Sequence, residues 1–146
     1  MSVLIDTGVF VAAQNERDEH HDVAVRALTA GFNGEFGALY TTDYVYDEAV
    51  TLARIRTGSH REARLIGDRI AGRHSYPSGI ELLFVHDDRF EKTVRTFERY
   101  DDHELSFTDA SLIAVVKSEG LDAVLSFDDD FDGVVDRIDP TTSSGR

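Results

Sequence analysis

Apolar positions along this chain fall into short runs separated by stretches of helical spacing. Val3-Leu4-Ile5 is a first run and stops at an acid, Asp6. Val9-Phe10-Val11-Ala12-Ala13 follows, and then a helical pattern over residues 18–30 that Gly31 closes. Leu39-Tyr40-Thr41-Thr42 reads as a second strand. Asp43 is placed to cap a helix whose Val45, Ala49, Leu52 and Ala53 recur at helical spacing until Gly58. Ser59-His60-Arg61-Glu62 matches a capping box and opens another helix. Residues 80–85 read as a third strand, after which Asp87 is placed to cap a helix with Phe90, Val94 and Phe97 on one face. Ser106-Phe107-Thr108-Asp109 then precedes an apolar run over 110–116 that Gly120 ends. Ala123-Val124-Leu125-Ser126-Phe127 is a fourth strand leading into an acid cluster, and residues 134–138 add a last short one.

Strands alternating with helices predict an α/β fold, a three-layer α/β/α sandwich with a mainly parallel central sheet. Ligands of such sheets sit outside the carboxyl ends of the strands. At 146 residues and 41% hydrophobic side chains, one domain is expected over residues 1–139, with a flexible tail over 140–146. No stretch approaches the ~18 uncharged apolar residues of a membrane helix, and the start lacks a basic region and a long apolar one. A cytoplasmic protein is expected. Zero cysteines exclude a disulfide scaffold, a thiolate zinc site and a cysteine nucleophile.

Charge sharpens this. The net charge is −13, from 18 Asp and 10 Glu against 13 Arg and only Lys92 and Lys117. Such acidity reads as a halophilic signature, in which concentrated salt screens the self-repulsion. It would otherwise argue against a polyanionic partner.

Several acids fall where chemistry belongs in such a fold. Asp6 follows the first strand, Asp128 follows the fourth, and Asp109 lies in the first turn of a helix. Each has a local role open to it as well: Asp6 as a helix cap, Asp109 at a helix dipole, Asp128 in an acidic turn. Glu48 lies beside the apolar stripe of its helix, where a carboxylate is expensive to bury unless paired or bound to metal, whereas Asp47 faces elsewhere. If Asp6, Glu48, Asp109 and Asp128 converge, a hard divalent ion is the natural counter-ion. Mg²⁺ or Mn²⁺ prefers such oxygen ligands and lowers the pKa of bound water. Thr7 and Thr108, next to two of the acids, are candidates for positioning substrate, or for capping helices.

Leu4-Ile5-Asp6-Thr7, Tyr46-Asp47-Glu48-Ala49, Leu105-Ser106-Phe107-Thr108-Asp109-Ala110 and Ser126-Phe127-Asp128-Asp129-Asp130-Phe131, in that order, resemble the PIN domain. The likeness spans nearly the whole chain and is strongest to the short VapC-type toxins of toxin-antitoxin pairs. That resemblance implies a Mg²⁺- or Mn²⁺-dependent endoribonuclease, often a homodimer, restrained by a small antitoxin. It matches the family's four acids to Asp6, Glu48, Asp109 and Asp128; since the fourth sits in a run, Asp129 or Asp130 could share or take its role, and Asp130 is the secondary candidate. Gly8 stands where the family often has Ser or Asn, so one side-chain hydrogen bond is missing here.

Residues 51–76 run against the acidic trend, with six arginines against Glu62 and Asp68. Arg54, Arg61 and Arg64 are therefore candidates for contacts to RNA phosphates or to an acidic antitoxin segment, the alternative being plain solvated helix arginines. The six histidines show no metal-ligand spacing and receive no role. Two or more of Tyr40, Tyr44 and Tyr46 are expected to pack on the sheet, the alternative being a stacking surface for bases. An aspartyl phosphatase would place a second acid at position 8, which is glycine, and no glycine-rich phosphate loop exists. Within the resembled family, an RNA-processing role or a non-catalytic partner-binding module stays open.

Overall fold

The computed structural model describes residues 1–143. Five strands, β1 (Ser2–Ile5), β2 (Ala38–Thr42), β3 (Ile80–Leu83), β4 (Ala123–Leu125) and β5 (Arg137–Ile138), form one sheet in the order β3-β2-β1-β4-β5. Every pairing is parallel; Leu4, for example, sits opposite Tyr40 on one side and Val124 on the other. The sheet is flanked by α1 (Thr7–Gln14), α2 (His21–Phe32), α3 (Asp43–Thr57), α4 (His60–Ala71), α5 (Asp87–Arg99) and α6 (Phe107–Glu119), the α/β/α sandwich that the alternation predicts.

The two central strands are apolar along their length because both faces are covered: Val3, Leu4 and Ile5 of β1, and Val124 and Leu125 of β4, are buried. Helix α6 is buried from Ala110 to Val116, which is why its sequence is apolar all round instead of on one stripe. Helices α3 and α4 pack closely enough that Gly67 is needed: a Cβ there would lie 2.6 Å from the Tyr46 hydroxyl. Tyr46 and Tyr40 pack against the core, and Tyr44 stands 6.3 Å from the Phe107 ring, in keeping with structural roles.

Several boundaries differ from the sequence reading for local reasons. Gly31 lies inside α2, facing Leu39, and the helix ends at Phe32 with Asn33 as its C-cap. The cap of α3 is Thr42, whose hydroxyl accepts from Val45 N, while Asp43 turns its carboxylate to Val85 N at 2.9 Å and ties α3 to the end of β3. His86, not Asp87, occupies the cap position of α5, with Asp87 and Asp88 in the first turn where the helix dipole favours acids. At α4 Ser59 accepts from Glu62 N as expected, but Glu62 points toward Arg61 at 3.8 Å. The stretch from residue 140 begins with a one-turn helix, α7 (Pro140–Ser143), packed near α2, after Asp139, which caps it by accepting from Thr141 N. The rest of the expected tail, residues 144–146, lies outside the described residues.

Candidate active site

From β1 the chain steps outward through β2 and β3, then returns to place β4 on the other side of β1. The connections therefore leave in opposite directions at the carboxyl ends of β1 and β4, which opens a crevice there. Asp6 is the residue after β1. Its backbone N still bonds to Leu125 O at 3.0 Å, and its carboxylate accepts from Thr7 N at 2.7 Å and from the Ser126 hydroxyl at 2.6 Å. Ser126 in turn accepts from Asp128 N at 2.9 Å, so one buried hydroxyl links the ends of β1 and β4. Asp128 caps a single 3-10 turn (Asp129–Phe131) by accepting from Asp130 N.

Asp109 enters from α6. It completes a capping box with Ser106: Asp109 N donates to the Ser106 hydroxyl and Ser106 N donates to Asp109 Oδ2, both at 3.0 Å. Glu48 enters half-buried from α3 and accepts no hydrogen bond among the described residues; Asp47 beside it is exposed. Asp6, Glu48, Asp109 and Asp128 all line one cavity of about 520 Å³, together with Thr7, Gly8, Asp18, His20, Leu52, Arg56, Ser106, Ser126 and Phe127. Asp6, Asp109 and Asp128 thus serve local capping and convergence on the cavity at once, since a carboxylate can hold a backbone N–H with one lone pair and keep others free, while Glu48 serves convergence alone.

Burial, more than repulsion, sets the electrostatics. Asp6 is only 6% exposed, and loss of hydration pushes its pKa up to about 7, with the charges of Asp109 and Glu48 adding to the rise and the Ser126 and Thr7 hydrogen bonds opposing it. Asp109 rises to about 6, first through burial and then through the charges of Asp128 and Glu48, against the bonds to Ser106. Asp130 is pushed up mainly by the charge of Asp128. None of the four acids is ion-paired to Lys or Arg among the described residues. A hard-oxygen donor set of four acids, two of them resisting ionisation and all lacking a cation, suits a divalent metal. So does the hydroxyl of Thr7, a buried polar atom on the cavity wall with no hydrogen-bond partner.

The tightest acidic trio among the described residues is a different one: carboxylate oxygens of Asp128, Asp129 and Asp130 lie within 4.8 Å of one another. Asp129 and Asp130 do not line the cavity, however, and Asp129 is exposed. Of the other candidates, Thr7 lines the cavity and Thr108 does not; the Thr108 carbonyl instead accepts from the Ser111 hydroxyl. Arg54 and Arg64 flank a separate groove over Tyr46, Val50, Ile55 and Ala63, and Arg61 is exposed. Gly8 has open space where a side chain would begin.

The sequence assigns no site role to Asp18, His20, Ser106, Ser126 or Phe127 of the cavity, and reads Arg56 only as one of the six arginines of a basic stretch. Arg56 had a readable signal, since it stands two helical repeats of four after Glu48, with Leu52 between, on the same stripe of α3. Ser126 is the one hydroxyl at the end of an otherwise apolar strand.

The family model described as the PIN domain matches residues 3–136. The chain is 26% identical over 132 residues to a VapC ribonuclease of Archaeoglobus fulgidus, covering 90% of this chain and 80% of that one. It is 26% identical over 129 residues to the 23S rRNA-specific endonuclease VapC20 of Mycobacterium tuberculosis, 88% of this chain and 91% of that protein. The crystal structure of that protein, described as a sarcin-ricin loop cleaving toxin, superposes with a TM-score of 0.75 at 29% identity over 88% and 92% of the two chains.

Proposed function

Because this chain belongs to the PIN domain family, we propose that it is a metal-dependent endoribonuclease of the VapC type, the toxin of a toxin-antitoxin pair. The observation behind this reading is the convergence of Asp6, Glu48, Asp109 and Asp128 on one cavity with none of them ion-paired to Lys or Arg among the described residues. In this reading the four acids hold Mg²⁺ or Mn²⁺, with Asp130 the secondary candidate beside Asp128. Bound there, the ion supplies a water of lowered pKa and neutralises charge on the phosphodiester.

The chain's own groups do the rest. The Ser126 hydroxyl and Thr7 N hold the Asp6 carboxylate in place and favour its anionic form. The Ser106 capping box fixes Asp109 against α6. The free Thr7 hydroxyl is positioned to donate to a phosphate oxygen in the cavity. Hydrolysis by water leaves a 5′-phosphate and a 3′-hydroxyl. The protein works in the cytoplasm as a homodimer held silent by a cognate antitoxin. None of the described helices is long and apolar enough to cross a membrane.

The test is cleavage of total RNA by the wild type and by Asp109→Asn, in concentrated KCl with Mg²⁺, Mn²⁺ or EDTA, followed by end-group analysis. Cleavage that needs both metal and Asp109 and leaves 5′-phosphates is expected. A 2′,3′-cyclic phosphate product, or cleavage untouched by EDTA, refutes the mechanism.

A further inference from the structure

We propose that the stacked rings of His20 and Phe127 form a platform for one unpaired nucleobase at the acidic cavity, and that Arg56 holds a phosphate of the same strand. The inference rests on the ribonuclease reading and names how that site grips its substrate.

The rings of His20 and Phe127 lie 4.6 Å apart, centroid to centroid, and only 17° from parallel. Both line the cavity with the four acids. Phe127 sits in the chain between Ser126, which bonds Asp6, and Asp128, so its ring is held next to the carboxylates by the segment that carries them. His20 occupies the cap position of α2 yet makes no side-chain capping bond. Its other side-chain contact is Glu19 at 3.4 Å, and its side chain is 42% exposed. Stacking on Phe127 therefore fixes the imidazole, and the exposure leaves it accessible from the cavity. An aromatic face presented beside a reaction centre is what an unpaired base stacks on, an interaction of ~1–3 kcal/mol that tolerates any base. A base inside a duplex cannot reach such a face, which restricts the substrate to loops and single strands at this point.

Arg56 supplies what the cavity otherwise lacks. A wall of five carboxylates, Asp18 besides the four acids, repels a polyanion, and in the last turns of α3 Arg56 is exposed, lines this cavity and forms no ion pair or hydrogen bond among the described residues. It also lines the adjoining cleft between α1 and the α3–α4 pair, where Arg17 and Arg56 stand against Glu16 and Glu62, so the cavity continues past its guanidinium into a cleft of balanced charge. A guanidinium in that place matches a phosphate oxygen pair with two parallel N–H donors.

The test is NMR of the full-length Asp109→Asn chain with Mg²⁺, titrated with the dinucleotide ApA and, separately, with adenosine. Saturable upfield shifts of the His20 ring protons are expected with both ligands. Phe127→Leu should weaken both about five- to hundredfold, as loss of a stacking platform does. Arg56→Gln should weaken ApA about tenfold at low salt and leave adenosine unchanged, since only ApA carries the phosphate. Unmoved His20 rings, or ApA affinity indifferent to Arg56→Gln, overturn the proposal. If wild-type RNA cleavage meanwhile depends on metal and Asp109, only this inference falls. If the rings respond and wild type cleaves nothing, the nuclease reading falls and the nucleotide grip stands.

Discussion

Asp6→Asn makes the metal-free protein more stable, and by an amount that depends on pH. Folding moves the Asp6 pKa from 3.8 to about 7, chiefly through burial. The folded state therefore binds a proton that the unfolded state has released, and stability falls as pH rises from about 4 to about 7, with no further loss above. At about 1.4 kcal/mol per pH unit, the full penalty above pH 7 is about 4 kcal/mol. Asparagine removes the ionisation while keeping the volume, and as a helix cap it equals aspartate, so the bond from Thr7 N survives. The advantage of the variant over wild type should thus grow by about 2–3 kcal/mol between about pH 5 and about pH 8. Urea unfolding in EDTA at fixed KCl measures it through the midpoint. Because desolvation is the first cause and the charges of Asp109 and Glu48 come after it, concentrated salt should leave most of the effect in place. An advantage that is equal at the two pH values, or that salt abolishes, refutes the argument. The first result means Asp6 ionises as an exposed acid would; the second means repulsion, not burial, sets its pKa.

Ser126→Ala removes the hydroxyl that donates to Asp6 and accepts from Asp128 N; it should cost about 1–3 kcal/mol in urea unfolding and raise the Asp6 pKa further, read by NMR titration. Gly37→Ala places a Cβ 1.9 Å from the Met1 carbonyl oxygen at φ +71, and should destabilise by about 2–4 kcal/mol in the same assay. Gly58→Ala, also left-handed at φ +68 but with nothing within 4 Å, should cost only about 1 kcal/mol, separating clash from backbone strain. Mg²⁺ at tenfold its dissociation constant should stabilise wild type by about 1.4 kcal/mol, shown as a rise in Tm that EDTA reverses and Asp109→Asn lacks. Raising KCl from ~0.1 M to ~1 M shortens the Debye length from ~10 Å to ~3 Å and should raise the urea midpoint of this −13 chain; a fall would count against a salt-adapted surface.

The element order was readable because each strand of the sheet is a short apolar run and each helix shows its period, most clearly at β1 and α6. What misled lay at the joints. Thr42 and Asp43 compete for the cap of α3, as His86 and Asp87 do for that of α5, and only the tertiary bond from Val85 N shows why Asp43 is drawn away from capping. The place of the four acids followed from strand ends and helix phase, which are local properties. The basic residue at the cavity was readable through helix phase alone: Arg54, Arg61 and Arg64 are as conspicuous in composition as Arg56, but Arg56 stands on the stripe of Glu48 and Leu52 while Arg54 lies on the groove toward α4. Ser126 escaped because its partner is 120 residues away.

Three of the four acids hold backbone N–H groups: Asp6 that of Thr7, Asp109 that of Ser106, Asp128 that of Asp130. Glu48 holds none. Chance substitutions are therefore not equal routes to a silenced copy of this chain. Most replacements of the aspartates loosen a helix start as well and expose the copy to proteolysis, whereas a replacement of Glu48 removes no backbone hydrogen bond and should leave the fold intact. If the chain is the toxin proposed above, a growth screen for its loss of activity should accordingly recover abundant survivors altered at Glu48, and scarce or degraded ones altered at the aspartates.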